Sequence, residues 1–284
     1  MPILALVLLL LSAVLHTSWN LLLKRSQEKY VATWWAILVG SAIFLPAVFF
    51  TGLPSPQTWP LLLISVLMEV AYYVVLSTAY NRADFSLVYP ISRGAAPALI
   101  AVWSVIFLHE RLTAAGILGL CIIVLGLLVM GAGNLLQSSG QKPRLRDFLL
   151  ALLLALIISI YSTIDGAAVK LTTPFSYTVL VFFLAPACTA PWALKYVGWG
   201  KLKTEWREHH TSLIAIGLLS MAAYLLVLSA YSISLVSYSG AIREVSVVLG
   251  AFAGWKLLGE RLGILRVVAA IIIFIGIVVV ATTG

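Results

Sequence analysis

The chain is 284 residues long, 62% hydrophobic and only 10% charged, with a formal net charge of +8. A soluble domain carries about a quarter charged residues, whereas apolar windows of about 20 residues recur here from end to end, long enough to cross a hydrocarbon core of about 30 Å. The composition excludes a soluble domain, and the scattered positive charge without a recognition motif excludes a nucleic-acid binder.

The first apolar run continues to about Leu23 behind Met1-Pro2-Ile3. It lacks a basic leader and a cleavage site, so residues 1–23 read as a span and not as a signal peptide. In chain order the predicted spans are 3–23, 31–51, 58–80, 85–107, 113–133, 147–170, 177–197, 211–232, 236–258 and 263–283. Short polar connections bearing Gly, Pro and Asn separate them. The longest run from Asn134 to Asp147 and from Gly198 to His210, and no soluble domain is expected. Cys121 and Cys188 lie inside apolar runs and read as packing residues, with neither a disulfide nor a metal site implied. Trp34, Trp35, Trp59, Trp199 and Trp206 read as interfacial anchors. Gly250-Ala251-Phe252-Ala253-Gly254 reads as a small-residue packing face, and Pro97 and Pro186 as kink positions.

The basic residues are one-sided. Lys24, Arg25, Lys29, Arg82, Lys142, Arg144, Arg146, Lys195, Lys201, Lys203, Arg207 and Arg261 follow odd-numbered spans, while Arg111 and Lys170 lie near connections after even-numbered ones. The positive-inside rule then puts both termini on the outer side.

The chain also repeats itself. Phe107-Leu108-His109-Glu110-Arg111-Leu112 matches Leu257-Leu258-Gly259-Glu260-Arg261-Leu262, and an arginine precedes each by the same interval, Arg93 and Arg243. Ala71-Tyr72 with Leu76-Ser77 matches Ala223-Tyr224 with Leu228-Ser229. The expected fold is therefore an all-α integral membrane protein of ten transmembrane helices in two repeats, 1–141 and 142–284. Five spans is an odd number, so the second repeat is inverted, an arrangement that places a site near the midplane between halves.

These residues carry a resemblance. The "GERL" boundary, the five-plus-five repeat, His16-Thr17-Ser18-Trp19-Asn20 with Lys24, Ser86-Leu87-Val88-Tyr89-Pro90-Ile91-Ser92-Arg93-Gly94 and Arg243-Glu244 are similar to the EamA-type branch of the drug/metabolite transporter superfamily. The likeness runs the full length, with His109 departing from the glycine of the second half. It implies a multi-pass protein of a bacterial plasma (inner) membrane, acting in export. Members carry amino acids, sugar conjugates, small amines and other metabolites, so the resemblance leaves the cargo open.

Polar groups within apolar spans are costly and by default mark a pathway or site. Here they are Glu69, Arg93, Asp165, Arg243 and Glu244, with His16 and Asn20 on the first span. Glu69, Tyr73, Ser77 and Tyr80 form one helical stripe. Tyr89 stands four residues before Arg93, Tyr161 four before Asp165, and Tyr224 lies on the eighth span. Each has a bland alternative. Arg93 either pins two helices by pairing with Glu69 or offers its fork to an anion. Asp165 either caps a span end or faces the site, and His16 either relays a proton or is a hydrogen-bonded core histidine. Arg243 and Glu244 point about 100° apart on a continuous helix, so at most one faces a cavity squarely. The tyrosines either pack or line a cavity.

The chain has no Gly-x-Ser-x-Gly, His-Glu-x-x-His, P-loop or paired intramembrane Asp motif, so neither an enzyme nor ATP-driven transport is expected. The expectation is a secondary transporter of a small polar metabolite, an amino acid or related organic acid, working by alternating access. Its partners would be that substrate, the lipid bilayer and a coupling proton on Glu69, Asp165 or Glu244, with no cofactor, metal or nucleic acid. The alternatives are transport of a phosphorylated or lipid-linked headgroup, and a structural or regulatory membrane protein.

Overall fold

In the computed structural model the backbone is described for residues 1–82, 85–137, 145–258 and 264–283, and side chains for 1–76, 91–130, 145–253, 255–256 and 264–283. Hydrocarbon offers no partner for a free N–H or C=O, so a spanning segment must satisfy its backbone internally, as a helix does. Among the described residues every regular element is helical. They are α1 (Ile3–Lys24), α2 (Lys29–Thr51), a 3₁₀ turn (Pro56–Thr58), α3 (Trp59–Arg82), α4 (Phe85–Phe107), α5 (Ala114–Gln137), α6 (Leu145–Ala168), α7 (Pro174–Tyr196), α8 (Trp199–Ile233), α9 (Val236–Arg243), α10 (Val245–Leu258) and α11 (Ile264–Thr283).

Among the described residues seven helical stretches are long and apolar enough to cross a membrane: Ile3–Lys24, Lys29–Thr51, Pro56–Leu76, Leu145–Ala168, Pro174–Tyr196, Trp199–Ile233 and Ile264–Thr283. Shorter apolar helices occupy Ile91–Phe107 and Ala114–Met130. Large apolar side chains such as Phe50, Leu67, Phe107 and Phe274 stand on the outer surface, where water would penalise them and lipid does not. The protein is an all-helical, multi-pass membrane protein.

Two segments depart from the sequence reading. The stretch 198–210, expected as a connection, forms the first turns of α8. Its charge hides an amphipathic pattern: Leu202 is fully buried against Val31, Trp34 and Ala193, while Lys201 reaches Glu28 at 2.9 Å. The segment expected as one ninth span is two helices, α9 and α10, joined at Glu244.

Three further expectations are corrected. Cys121 and Cys188 are exposed, so they do not pack the interior. Trp34 is buried and its indole donates to the Pro186 carbonyl at 3.0 Å, a core contact and not an interfacial anchor. A Cβ at Gly250 would meet nothing within 4 Å, so no close helix approach is built at that residue, while Gly254 lies outside the residues whose side chains are described. The close approach lies between α2 and α8, where a Cβ on Gly217 would fall 2.2 Å from the Ala36 carbonyl oxygen and one on Gly40 2.6 Å from that of Gly217.

The packing is exchanged between the halves. Helix α1 lies on α8 and α3 on α6; α1 also meets α9 and α10, as α4 meets α6; α2 meets α8, as α3 meets α7. Helices α2 and α7, α4 and α9, and α5 and α11 pair with their own counterparts. With α9 and α10 counted as one segment, the sequence repeat converts each contact of this set into another of the set. The halves interleave.

Candidate functional site

The interleaving gathers ionisable groups from five helices into the interior. From α4, Arg93 extends toward the α9–α10 junction, where Glu244 is the junction residue with φ −69° and ψ −3°. The junction tightens to three-residue spacing: the Glu244 N–H donates to the Ala241 carbonyl at 3.1 Å and the Val247 N–H to the Glu244 carbonyl at 2.9 Å. Turned out of the helix line this way, Glu244 Oε1 meets Arg93 Nη1 at 3.0 Å. Arg93 Nη2 lies 3.2 Å from His16 Nε2 on α1. A guanidinium only donates, so this imidazole nitrogen is the acceptor. The second Glu244 oxygen, Oε2, is buried without a hydrogen-bond partner among the described residues.

A second constellation surrounds Asp165 on α6, which has no exposed surface. Its Oδ1 accepts from the Tyr177 hydroxyl on α7 at 2.7 Å, and its Oδ2 from the Tyr224 hydroxyl on α8. Phe182 stacks on Tyr224 at 5.1 Å between centroids and 20° between planes. The Arg243 guanidinium stands 5.5 Å from the other contact of that ring, its centroid, in a cation–π arrangement. Tyr161 and Tyr231 complete the aromatic surround of Arg243. Glu69 on α3 is buried, and the charges that act on it are those of Asp165 and Arg243.

Several sequence expectations are thereby resolved. Arg93, His16 and Glu244 meet in one group; Asp165, Tyr224, Arg243, Tyr161 and Glu69 meet in the other. The pairing expected between Glu69 and Arg93 gives way to Arg93 with Glu244, with α6 packed against both α3 and α4. Asp165 caps no helix and sits at no interface; it is fully buried and doubly hydrogen-bonded. Arg243 and Glu244 both turn inward, which a continuous helix forbids and the junction permits. Tyr73 lies beside Tyr72 and lines a small crevice with Tyr30, Trp34 and Pro186, while Tyr72 makes an edge-on contact with Tyr161. Asn20 does not join the cluster: it is exposed and donates to the His16 carbonyl one turn back at 2.7 Å. Tyr89, Ser77, Tyr80 and the second-half Gly259-Glu260-Arg261-Leu262 lie outside the residues whose side chains are described.

The sequence reading missed Tyr177, Tyr231, Tyr72 and Phe182, which carry no charge and fit the surrounding apolar pattern. It also passed over the role of Glu110. This buried carboxylate accepts from the Val236 N–H at 2.6 Å, the Ser237 N–H at 3.1 Å and the Ser237 hydroxyl at 2.6 Å. It thus caps the N-terminus of α9 from the other half of the chain, favourable both for the free N–H groups and for the helix dipole. Lys170 approaches the same carboxylate at 3.8 Å. The neighbouring His109 holds a positive φ of 53°, where the second half has glycine. The signal available for Glu110 was its place in the repeated motif. Among the described residues no three His, Cys, Asp or Glu side chains gather as metal ligands.

Helices apolar on the outside and charged at depth define the class: a polytopic membrane protein with an intramembrane polar site. The profile of the EamA-like transporter family matches residues 3–132 and again residues 146–282. The chain belongs to the EamA-like transporter family, a family of membrane transporters. Among solved structures, one crystal structure of a protein 18% identical aligns with 98% of this chain and 96% of its own, with a TM-score of 0.79. At that identity the likeness is one of fold.

Proposed function

We propose that the chain is a secondary active transporter for a small polar metabolite bearing an anionic group, an amino acid or related organic acid. It has ten spans, the ninth being α9 plus α10, in two inverted five-helix repeats, and it works by alternating access in export across a bacterial inner membrane. The observation that carries this reading is the ion pair of Arg93 with Glu244 at a discontinuity in α9–α10. Broken helices at depth, held by charges from the opposite repeat, are how carriers of this architecture build a site near the midplane. The exchanged packing of the halves supports the same reading, because two interleaved repeats can rock about a common site.

Chemically, the cluster offers two guanidiniums, three carboxylates and a set of tyrosine hydroxyls in a desolvated setting. Guanidinium groups suit the acid end of a metabolite, and the carboxylates suit an amine or a transported proton. The test is uptake of a panel of radiolabelled amino acids and organic acids into proteoliposomes, with and without a pH gradient. At least one compound accumulates if the proposal is right. No uptake and no counterflow of any compound overturns it. Neutralising the coupling carboxylate among Glu69, Asp165 and Glu244 should abolish gradient-driven accumulation and spare exchange. Concentrative uptake surviving in all three variants refutes proton coupling through these groups.

A further inference from the structure

Building on the reading of the chain as a carrier, we infer that Arg243 and the hydroxyl of Tyr231 form the seat of the substrate's oxyanion, and that Arg93 is a positioning residue outside that contact. The two arginines are not equivalent. Arg93 is committed, with Nη1 on Glu244 and Nη2 on His16, and its side chain is 12% exposed. Arg243 is also partly buried, but it has no ion-pair partner among the described residues. Its neighbours are aromatic: Tyr224 beneath it and Tyr161 and Tyr231 around it.

The Tyr231 hydroxyl supplies the second observation. Tyr231 has no exposed surface; its oxygen lies against the Arg243 guanidinium, and its hydroxyl proton meets no acceptor among the described residues. A buried hydroxyl is ordinarily satisfied, and one left open beside an uncompensated guanidinium is a donor waiting for an acceptor. An oxyanion between them accepts from both. By contrast, both oxygens of Asp165 are taken by tyrosine hydroxyls, so Asp165 is not free to be that acceptor.

The surrounding charge selects the class of anion. One open guanidinium stands here close to the buried Asp165 carboxyl, since the ring beneath Arg243 is that of Tyr224, whose hydroxyl donates to Asp165. A dianion such as a phosphate monoester adds a second negative charge to a site already rich in carboxylate, whereas a carboxylate adds one. The seat therefore favours a monoanionic carboxylate.

The test is labelling of the purified full-length protein with phenylglyoxal, an arginine-specific reagent, read residue by residue by peptide mass spectrometry. Sodium acetate and sodium phosphate serve as protecting anions at matched ionic strength. Arg243 should react at least about ten-fold faster than Arg93, and acetate should slow Arg243 more effectively than phosphate does. In Tyr231→Phe, which removes a single hydroxyl and keeps the ring, half-protection should require about ten-fold more acetate, the size of one hydrogen bond to an anion. Releasing Arg93 by Glu244→Gln should speed its labelling without changing acetate protection of Arg243. Faster labelling of Arg93 in the unaltered protein, acetate protection at Arg93, or unchanged protection in Tyr231→Phe overturns the assignment. Better protection by phosphate overturns the choice of a monoanion. These outcomes do not depend on transport, so a chain that labels as expected yet carries nothing would sink the transporter reading alone.

Discussion

Replacing Glu110 is the sharpest test of how the first half of the chain holds the second. Its carboxylate receives two backbone N–H groups and one hydroxyl, at 2.6, 3.1 and 2.6 Å, and is buried. A hydrogen bond to a charged group contributes about 1.5–3 kcal/mol, and loss of an N-cap costs about 1 kcal/mol where water can replace it. Water reaches this helix start only in part, so Glu110→Ala should cost about 3–5 kcal/mol. Glu110→Gln keeps one acceptor oxygen but aims an NH₂ at a donor and loses the charge–dipole attraction, for about 2 kcal/mol. Lys170 adds little, because its 3.8 Å contact involves a side chain 38% exposed. The assay is thermal unfolding of the purified variants, together with hydrogen exchange at the Val236 and Ser237 amides. Exchange there should rise well above that of the α8 core in both Glu110 variants and stay near the parent level in Lys170→Ala. If Lys170→Ala destabilises as much as Glu110→Gln, or if those two amides exchange as before, the cap is not what fixes α9.

The other predictions are local. Tyr177→Phe removes one of the two hydroxyls on Asp165 and should lower stability by about 1.5–3 kcal/mol, seen as a fall in the unfolding midpoint. An unchanged midpoint would mean that Tyr224 alone satisfies the carboxylate. Gly217→Ala places a Cβ 2.2 Å from the Ala36 carbonyl oxygen, so α2 and α8 must separate at a cost of about 1–3 kcal/mol. His109→Gly should be neutral or stabilising by up to about 1 kcal/mol, since it relieves a positive φ. A reporter active only outside the cytoplasm should be active when fused after Gly284 and silent when inserted near Gln141; the reverse pattern refutes the orientation drawn from the basic residues.

Much of the helical architecture was legible because lipid permits few solutions: a run of about 20 apolar residues in this composition has little choice but to be a helix. The misread segments are those where two physical demands overlap. Residues 199–210 are polar enough to look like a connection, yet Leu202 and Trp206 recur on one helical face, and the Trp35 indole donates to the Leu202 carbonyl at 2.9 Å. Trp34 looked interfacial because tryptophans favour that depth, but its N–H found a carbonyl inside the protein, which lets the ring be buried. The polar residues of the site could be picked out by their cost in an apolar setting. Their partners could not. Arg93 pairs with a residue 151 positions away and not with Glu69 on the adjoining helix, and no one-dimensional pattern encodes which helices become neighbours when two halves interleave.

The α9–α10 junction has no proline or glycine at residues 243–245 to announce it, and its cause lies elsewhere in the chain. An eight-residue helix is too short to persist by propensity alone, so α9 depends on what grips it. Glu110 of the first half holds its N-terminus, and Arg93, also of the first half, holds Glu244 just beyond its C-terminus. One grip is a carboxylate accepting hydrogen bonds and the other an ion pair; both cross between the halves, and both use groups buried where an unpaired charge is expensive. A helix fixed at each end by the opposite half owes its position to that half as much as to its own.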